Sequence, residues 1–401
     1  MKQPIVLVKY AVSAAIIALG MVVMPQMTEK AFTENLKEKN DPKTLKQQVE
    51  KLIIHMTLQE KIGQMMVVGF QTGEMDDHIK TMISSYYAGG VILFDRNMKT
   101  PKQVATLTNN LQGLAQQTKN QIPLVMGIDQ EGGAIVRMKN QVLPIPSQQE
   151  LGQKNDKELV YQTANRNGQE LAEMGFNVDF APVLDLSDTD TRSFGTDPQK
   201  AAKFGEAAVS GLNANGLTAA LKHFPGNGRS NIDPHLETSS VKADKLDLEN
   251  GDIYPFKQMI KNVDNNNFFV MVTHLKYPAY DKENPASISP IIIQDLLRKQ
   301  LGYKGLVVTD DLEMGAVSKY FTYEELGVRA VEAGADILLV CHTLENQEKM
   351  YKGILQAVKE GKISEKRIDE SVKRILTHKL TSDIQLHVNS ETAKNVVGKN
   401  R

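Results

Sequence analysis

Eight short apolar runs at regular spacing constrain this chain more than any other feature. They occupy residues 65–70, 90–94, 123–129, 178–185, 218–223, 268–274, 306–310 and 337–341. The runs are rich in β-branched residues and lack the polar alternation of a strand with one wet face, so each reads as a strand buried on both sides. Stretches with helical spacing, such as 104–117, 160–174 and 204–213, separate most of them. Eight strands alternating with helices specify an α/β chain closed into a TIM-like (β/α)8 barrel, a single domain of about 250 residues or more. The helical region 344–378 completes it. A doubly wound open sheet is the alternative, but no G-x-G-x-x-G follows the first run. No linker composition interrupts the pattern, so one barrel domain is expected over 44–380, with a polar tail, 381–401, expected to be loosely ordered.

Before the barrel, residues 1–27 combine an early positive charge (Lys2, Lys9) with the apolar run 11–24, the layout of an export signal. At about 1.5 Å per residue the stretch 5–24 is also long enough to cross a bilayer if Lys9 snorkels, so a cleaved signal and an uncleaved membrane anchor both stay open. Residues 28–43, rich in Lys, Glu and Asn, read as a polar linker. Lys plus Arg (47) and Asp plus Glu (48) nearly cancel, which removes the broad positive field that nucleic-acid binding relies on. The single cysteine, Cys341, excludes an internal disulfide and a cysteine zinc cluster.

In such a barrel the chemistry sits at the carboxyl ends of the strands. Run three ends in Asp129-Gln130-Glu131-Gly132-Gly133, with Arg137 following. Run four ends in Asp185, with Arg192 beyond, and run five in Lys222-His223. Run six ends in His274 and run seven in Asp310-Asp311. Singly, each has a bland reading: Asp311 as a helix cap, Asp185 as a loop tie, a buried structural histidine among the rest. Together they converge on one mouth.

The segments GIDQEGGAIVR (127–137), FAPVLDL (180–186), KHFPGNGRSNIDPH (222–235) and VVTDDLEMGAV (307–317) resemble, in that order, family 3 glycoside hydrolases, in particular the bacterial β-N-acetylglucosaminidase branch. The resemblance implies a retaining exo-hydrolase that removes terminal β-linked N-acetylglucosamine and needs no metal or cofactor. It implies Asp310 as nucleophile and His235, paired with Asp233, as acid and base. It also implies Asp129, Arg137, Arg192, Lys222 and His223 as residues that grip the sugar. Two positions depart from the family pattern: Asn227 replaces the second histidine of K-H-F-P-G-H-G, which puts a loop contact in doubt, and Pro234 stiffens the approach to His235.

The chemistry agrees with those assignments. Retention needs one carboxylate to attack the anomeric carbon and a second group to protonate the leaving oxygen and then to activate water. A histidine beside a carboxylate can cycle in that way, because Asp233 favours the imidazolium of His235. The chain has no tryptophan on which a long glycan could stack, so the expected partner is a short carbohydrate, such as a cell-wall fragment, bound by a monomer. Other readings stay open: a β-glucosidase-type enzyme, a cell-surface sugar-binding protein without turnover, and a metal-dependent barrel hydrolase gathering His223, His235, His274 and Asp310, although no H-x-H opens such a site. The export segment generates a first prediction, that the catalytic domain sits outside the cytoplasmic membrane. Fractionation of producing cells checks it, and full-length protein soluble in the cytosol would overturn it.

Overall fold

The computed structural model describes residues 42–230 and 238–399. The export segment 1–27 and nearly all of the linker 28–43 lie outside the described residues, among which no helix is long and apolar enough to cross a membrane. The first described helix, Pro42–His55, begins just ahead of the expected boundary at 44, with Pro42 at a first position where its missing N–H costs nothing.

Eight parallel strands form a closed barrel: Met66–Val68 (β1), Gly90–Ile92 (β2), Val125–Ile128 (β3), Val178–Asp179 (β4), Thr218–Phe224 (β5), Phe268–Val272 (β6), Val307–Asp311 (β7) and Ile337–Val340 (β8). β1 closes the ring by pairing Met66 with Leu338 of β8 and Val67 with Gly90 of β2. The strands carry almost no polar side chain before their carboxyl ends, as a sheet covered on both faces requires. Helices between them start where the sequence supplies caps: the side chains of Thr100, Asp156, Asp197 and Ser364 accept from the first turns of Pro101–Gln116, Lys157–Glu173, Pro198–Asn213 and Glu365–Thr381.

Two departures from regular pairing matter for function. Against β6, Leu221 faces Val270 but Phe224 faces Val272, so β5 holds one extra residue at Lys222-His223. Against β8, Val308 faces Ile337 but Asp311 faces Leu339, so β7 holds one extra residue at Thr309-Asp310. Such slips re-aim side chains at a strand end. The fourth apolar run gives only two strand residues because Pro182 has no N–H to donate. The chain rejoins the sheet through Val183, opposite Lys222.

The carboxyl-terminal segment corrects the expectation of a loosely ordered tail over 381–401. A helix, Ser390–Val396, is capped by Asn389, which accepts from Glu391 N (2.9 Å) and Thr392 N (3.1 Å). Ala393 and Val397, four residues apart and therefore on one face, are buried, and the Gly398 N–H donates to Glu170 Oε1 at 2.6 Å. A pair of small apolar residues and one cap suffice because the helix docks on Pro101–Gln116 and Lys157–Glu173.

The amino-terminal end of the barrel is built for stability. Asp336, wholly buried, accepts from Arg298 (2.5 Å), Ser371 (2.7 Å), Arg374 (3.0 Å) and the Val307 N–H (3.0 Å), tying β7 and β8 to the helix Glu365–Thr381. Lys379, on the same helix and 3% exposed, has only neutral partners among the described residues: its Nζ donates to Gln64 Oε1 (2.8 Å) and the Gly89 carbonyl (2.6 Å). Burial pushes its pKa down from 10.5 to about 7. Between those values the unfolded chain binds a proton that the native state does not, so stability rises with pH across that window, by about 1.4 kcal/mol per unit at most. Denaturant midpoints are therefore expected to rise from pH 7 to pH 9. Lys379→Met is expected to raise the midpoint at pH 7 and to flatten the dependence; an equal rise in the variant would assign it to other groups.

Candidate active site

The extra residues in β5 and β7 bring Lys222, His223 and Asp310 to one cavity at the carboxyl end of the barrel. Its volume is about 220 Å³. Asp129 lies just past β3, Arg137 in the loop after β3, and Arg192 in the loop after β4; all three line the same cavity. Six of the eight residues assigned from the sequence thus converge. The other two, Asp233 and His235, lie outside the described residues, as does Pro234.

Asp310 is held in a defined orientation. Its Oδ1 accepts the Asp311 N–H at 2.9 Å, while Oδ2 lies 4.0 Å from His223 Nε2. Burial raises the pKa of such a carboxyl, but His223, His274, the Asp311 N–H and Lys222 together outweigh it and hold Asp310 below the usual carboxylate range. At neutral pH it is an anion that lines the cavity, and its Oδ2 has no hydrogen bond among the described residues. Asp311, its neighbour, is fully engaged: Oδ1 accepts from Cys341 N (3.2 Å) and Glu313 N (3.1 Å), and Oδ2 meets His342 Nε2 at 3.1 Å.

His223 is oriented by Asp185. Its Nδ1–H donates to Asp185 Oδ2 at 2.6 Å, and its own N–H donates to Oδ1 at 3.0 Å. Burial would raise the pKa of Asp185, but His223 and two N–H donors overcome it and keep the carboxylate charged. Asp185, which the sequence offered as a loop tie, does that as well, since the Asn227 N–H donates to Oδ1 at 2.7 Å. Asn227 thus ties the loop to Asp185 through its backbone, while its buried side-chain Oδ1 has no hydrogen-bond partner among the described residues.

Beside these groups runs a chain of alternating charges. Arg192 donates through two nitrogens to Glu131, at 2.6 and 2.9 Å. Lys222 Nζ lies 2.7 Å from Glu131 Oε1 and 2.8 Å from Asp129 Oδ1. Arg137 approaches Asp129 at 3.8 Å and Asp95 at 3.3 Å. Burial works against the charge on Lys222, but Asp129 and Glu131 more than compensate and raise its pKa. Glu131 is likewise driven well below the carboxylate range, because Lys222 and Arg192 outweigh its burial.

Glu131 was not assigned a role from the sequence. The usable signal was its position two residues after Asp129, which returns a side chain to the same side of an extended chain. The two glycines that follow take φ of +96° and +58°, which lets the chain turn so that Gly132 N and Glu131 N both donate to the Ile135 carbonyl. His342 and Phe94 were also missed; their rings pack at 5.4 Å on the cavity rim, with the Arg137 guanidinium 5.3 Å from the Phe94 ring. His274 proves structural: it donates from Nε2 to the Asp311 carbonyl (2.8 Å), Nδ1 meets Ser287 Oγ (2.7 Å), and burial pushes its pKa down. Among the described residues no group of three His, Cys, Asp or Glu side chains is placed to hold a metal ion.

Comparisons with known proteins agree with this geometry. Residues 57–378 match the model of the glycosyl hydrolase family 3 N terminal domain. The beta-hexosaminidase A of Pseudoalteromonas piscicida is 33% identical over 324 residues, which is 74% of this chain and 54% of the relative. The beta-hexosaminidase of Nitrosomonas eutropha is 34% identical over 282 residues, 68% of this chain and 78% of the relative. Among solved structures, a glycoside hydrolase family 3 beta-N-acetylglucosaminidase from Paenibacillus sp. superposes with a TM-score of 0.79 at 39% identity, over 83% of this chain and 64% of that one. The chain therefore spans about half the length of the Pseudoalteromonas relative and just under two thirds of the Paenibacillus structure.

Proposed function

The chain belongs to glycosyl hydrolase family 3, and on that premise we propose that it is a retaining, exo-acting β-N-acetylhexosaminidase, which removes terminal β-linked N-acetylglucosamine from short glycans. The observation that carries the reading is Asp310: an ionised carboxylate at the end of β7, with one oxygen tied to a backbone N–H and the other open to a small cavity lined by cationic and donor groups. At about 220 Å³ the cavity falls below the roughly 300 Å³ at which pockets for drug-sized ligands begin, which suits one terminal sugar ring. Relatives named beta-hexosaminidase support the choice of sugar.

In this mechanism Asp310 Oδ2 attacks the anomeric carbon as the glycosidic oxygen departs with a proton from His235, leaving a glycosyl ester on Asp310. His235 then takes a proton from water, which attacks the same carbon and releases the sugar and the free carboxylate. Asp233 keeps His235 supplied with its proton. Asp129, Lys222, His223, Arg137 and Arg192 hold the ring hydroxyls and the acetamido group by charge-assisted hydrogen bonds. Cell-wall fragments met outside the cytoplasmic membrane are the natural substrates in this reading, which the export segment supports. A panel of aryl β-glycosides separates the N-acetylhexosaminidase from a β-glucosidase.

Two predictions test the assignments. Asp310→Ala is expected to abolish turnover while the protein still unfolds cooperatively, and trapping wild type with a slow substrate should put the adduct on the Asp310 peptide by mass spectrometry. An adduct on Glu131 or Asp185 would overturn the choice of carboxylate. His235→Ala should lose most of its rate on disaccharides, where the leaving oxygen needs a proton, but on a nitrophenyl glycoside it should give a burst followed by slow turnover that azide accelerates. Equal losses on good and poor leaving groups, without azide rescue, would reduce His235 to shaping its loop.

A further inference from the structure

Glu131 is the point at which the cationic half of the mouth is fixed. Its side chain is 3% exposed, and both oxygens are used: Oε2 by Arg192 Nε, Oε1 by Arg192 Nη2 and Lys222 Nζ. Arg192 stands on a loop with no strand pairing, and its guanidinium has no other hydrogen-bond partner among the described residues. Without Glu131, no described hydrogen bond would hold that guanidinium at the cavity wall, and only the longer-range attraction of Asp185 and Asp190 would remain. Lys222 is different, because Asp129 would remain to it. We propose that Glu131 is a positioning residue: it does not touch the sugar, but holds Arg192 and Lys222 in the one arrangement in which both reach the substrate. This rests on the proposed function for its kinetic consequence, not for its geometry.

The groups around Lys222 come from five elements. Asp129 and Glu131 lie past β3, Asp179 is on β4, Arg192 is on the loop after β4, His223 adjoins Lys222 on β5, and Asp310 is on β7. Asp179 is wholly buried, and burial pushes its pKa well above the usual carboxylate range, so it adds little negative charge. Arg192 opposes the charge on Lys222. The favourable field therefore comes mainly from Asp129 and Glu131, and neutralising Glu131 removes one of two principal anions while leaving Arg192 unanchored.

The test uses Glu131→Gln, which keeps the shape and removes the charge. On an aryl N-acetyl-β-glucosaminide KM is expected to rise about tenfold or more, as loss of a charge-assisted contact implies, with kcat changed far less. Arg192→Gln should raise KM similarly, and the double variant should be no worse than the worse single one, because both remove the same interaction. In parallel, the lysine 13Cε resonance that vanishes in Lys222→Met reports the charge on Lys222 directly. Its titration should move to lower pH in Glu131→Gln than in wild type, because one of the two carboxylates that stabilise the ammonium has lost its charge. Additive losses, or an unchanged KM and titration with only a lower melting temperature, would overturn the proposal and leave Glu131 a structural carboxylate. If Glu131→Gln does not fold, Glu131→Asp, which keeps the charge but draws it back by one methylene, takes its place: a raised KM to which Arg192→Gln adds nothing upholds the positioning role, and an unchanged KM overturns it. The resonance involves no sugar, so a wild type without hexosaminidase activity would sink the proposed function while this inference is still judged by titration.

Discussion

The ammonium of Lys222 is buried between two carboxylates, and much of the mouth is arranged around that fact. A buried charge is tolerated only when it is paired and its hydrogen-bonding capacity is used. Lys222 meets that condition with Asp129 and Glu131, which are next but one in sequence past the end of β3, two strands away from β5 in the barrel. Those carboxylates then need partners of their own, and Arg192 and Arg137 supply them from two loops. Each charge is thus satisfied by the next, and the chain of pairs fixes loops that the sheet itself does not reach. Removing one member strands its neighbours, which is why such a network acts as a unit more than as a sum of contacts.

The sheet makes this possible by breaking its own regularity. In an ideal strand successive side chains point to opposite faces, so Lys222 and His223 could not both serve one cavity. The extra residue in β5 relaxes that rule at Lys222-His223, and the extra residue in β7 does the same at Asp310. The amino-terminal end shows the opposite use of buried polar groups. There Asp336 gathers two guanidiniums and a hydroxyl around one carboxylate and joins strands to a helix. Function at one end and fixation at the other follow from where the parallel strands finish and begin.

The barrel was legible because burial on both faces writes an unmistakable pattern: an apolar run such as 268–274 carries no polar alternation, and eight of them closed as expected. The cluster of polar residues at their ends was legible for the same reason, since Lys222, His223 and Asp310 stand out against apolar neighbours. What was not legible depends on partners distant in sequence. Glu131 reads as one more acid in a glycine-rich turn until Arg192, 61 residues on, is seen to fold back on it. His274 reads as a mouth residue until Ser287 and the Asp311 carbonyl occupy both ring nitrogens. The tail helix and the residue after it bury only two apolar side chains, too few to register as a pattern, and are ordered by the surface that receives them.

The adjacent carboxylates Asp310 and Asp311 show how far local geometry separates chemically equal groups. Both end β7, and the sequence alone cannot rank them except by resemblance. The register slip decides it: Asp311 pairs across to Leu339, and its carboxylate is used up by the Cys341 and Glu313 N–H groups and by His342. It therefore fixes the end of β8 and the cavity rim. Asp310, on the extra position, keeps one oxygen unbonded among the described residues, 4.0 Å from an imidazole that Asp185 has already oriented. A nucleophile needs an ionised oxygen without a competing donor, held so that it need not reorganise to react. Of the two, only Asp310 meets that requirement, and it does so because its neighbour has taken over the structural work at the strand end.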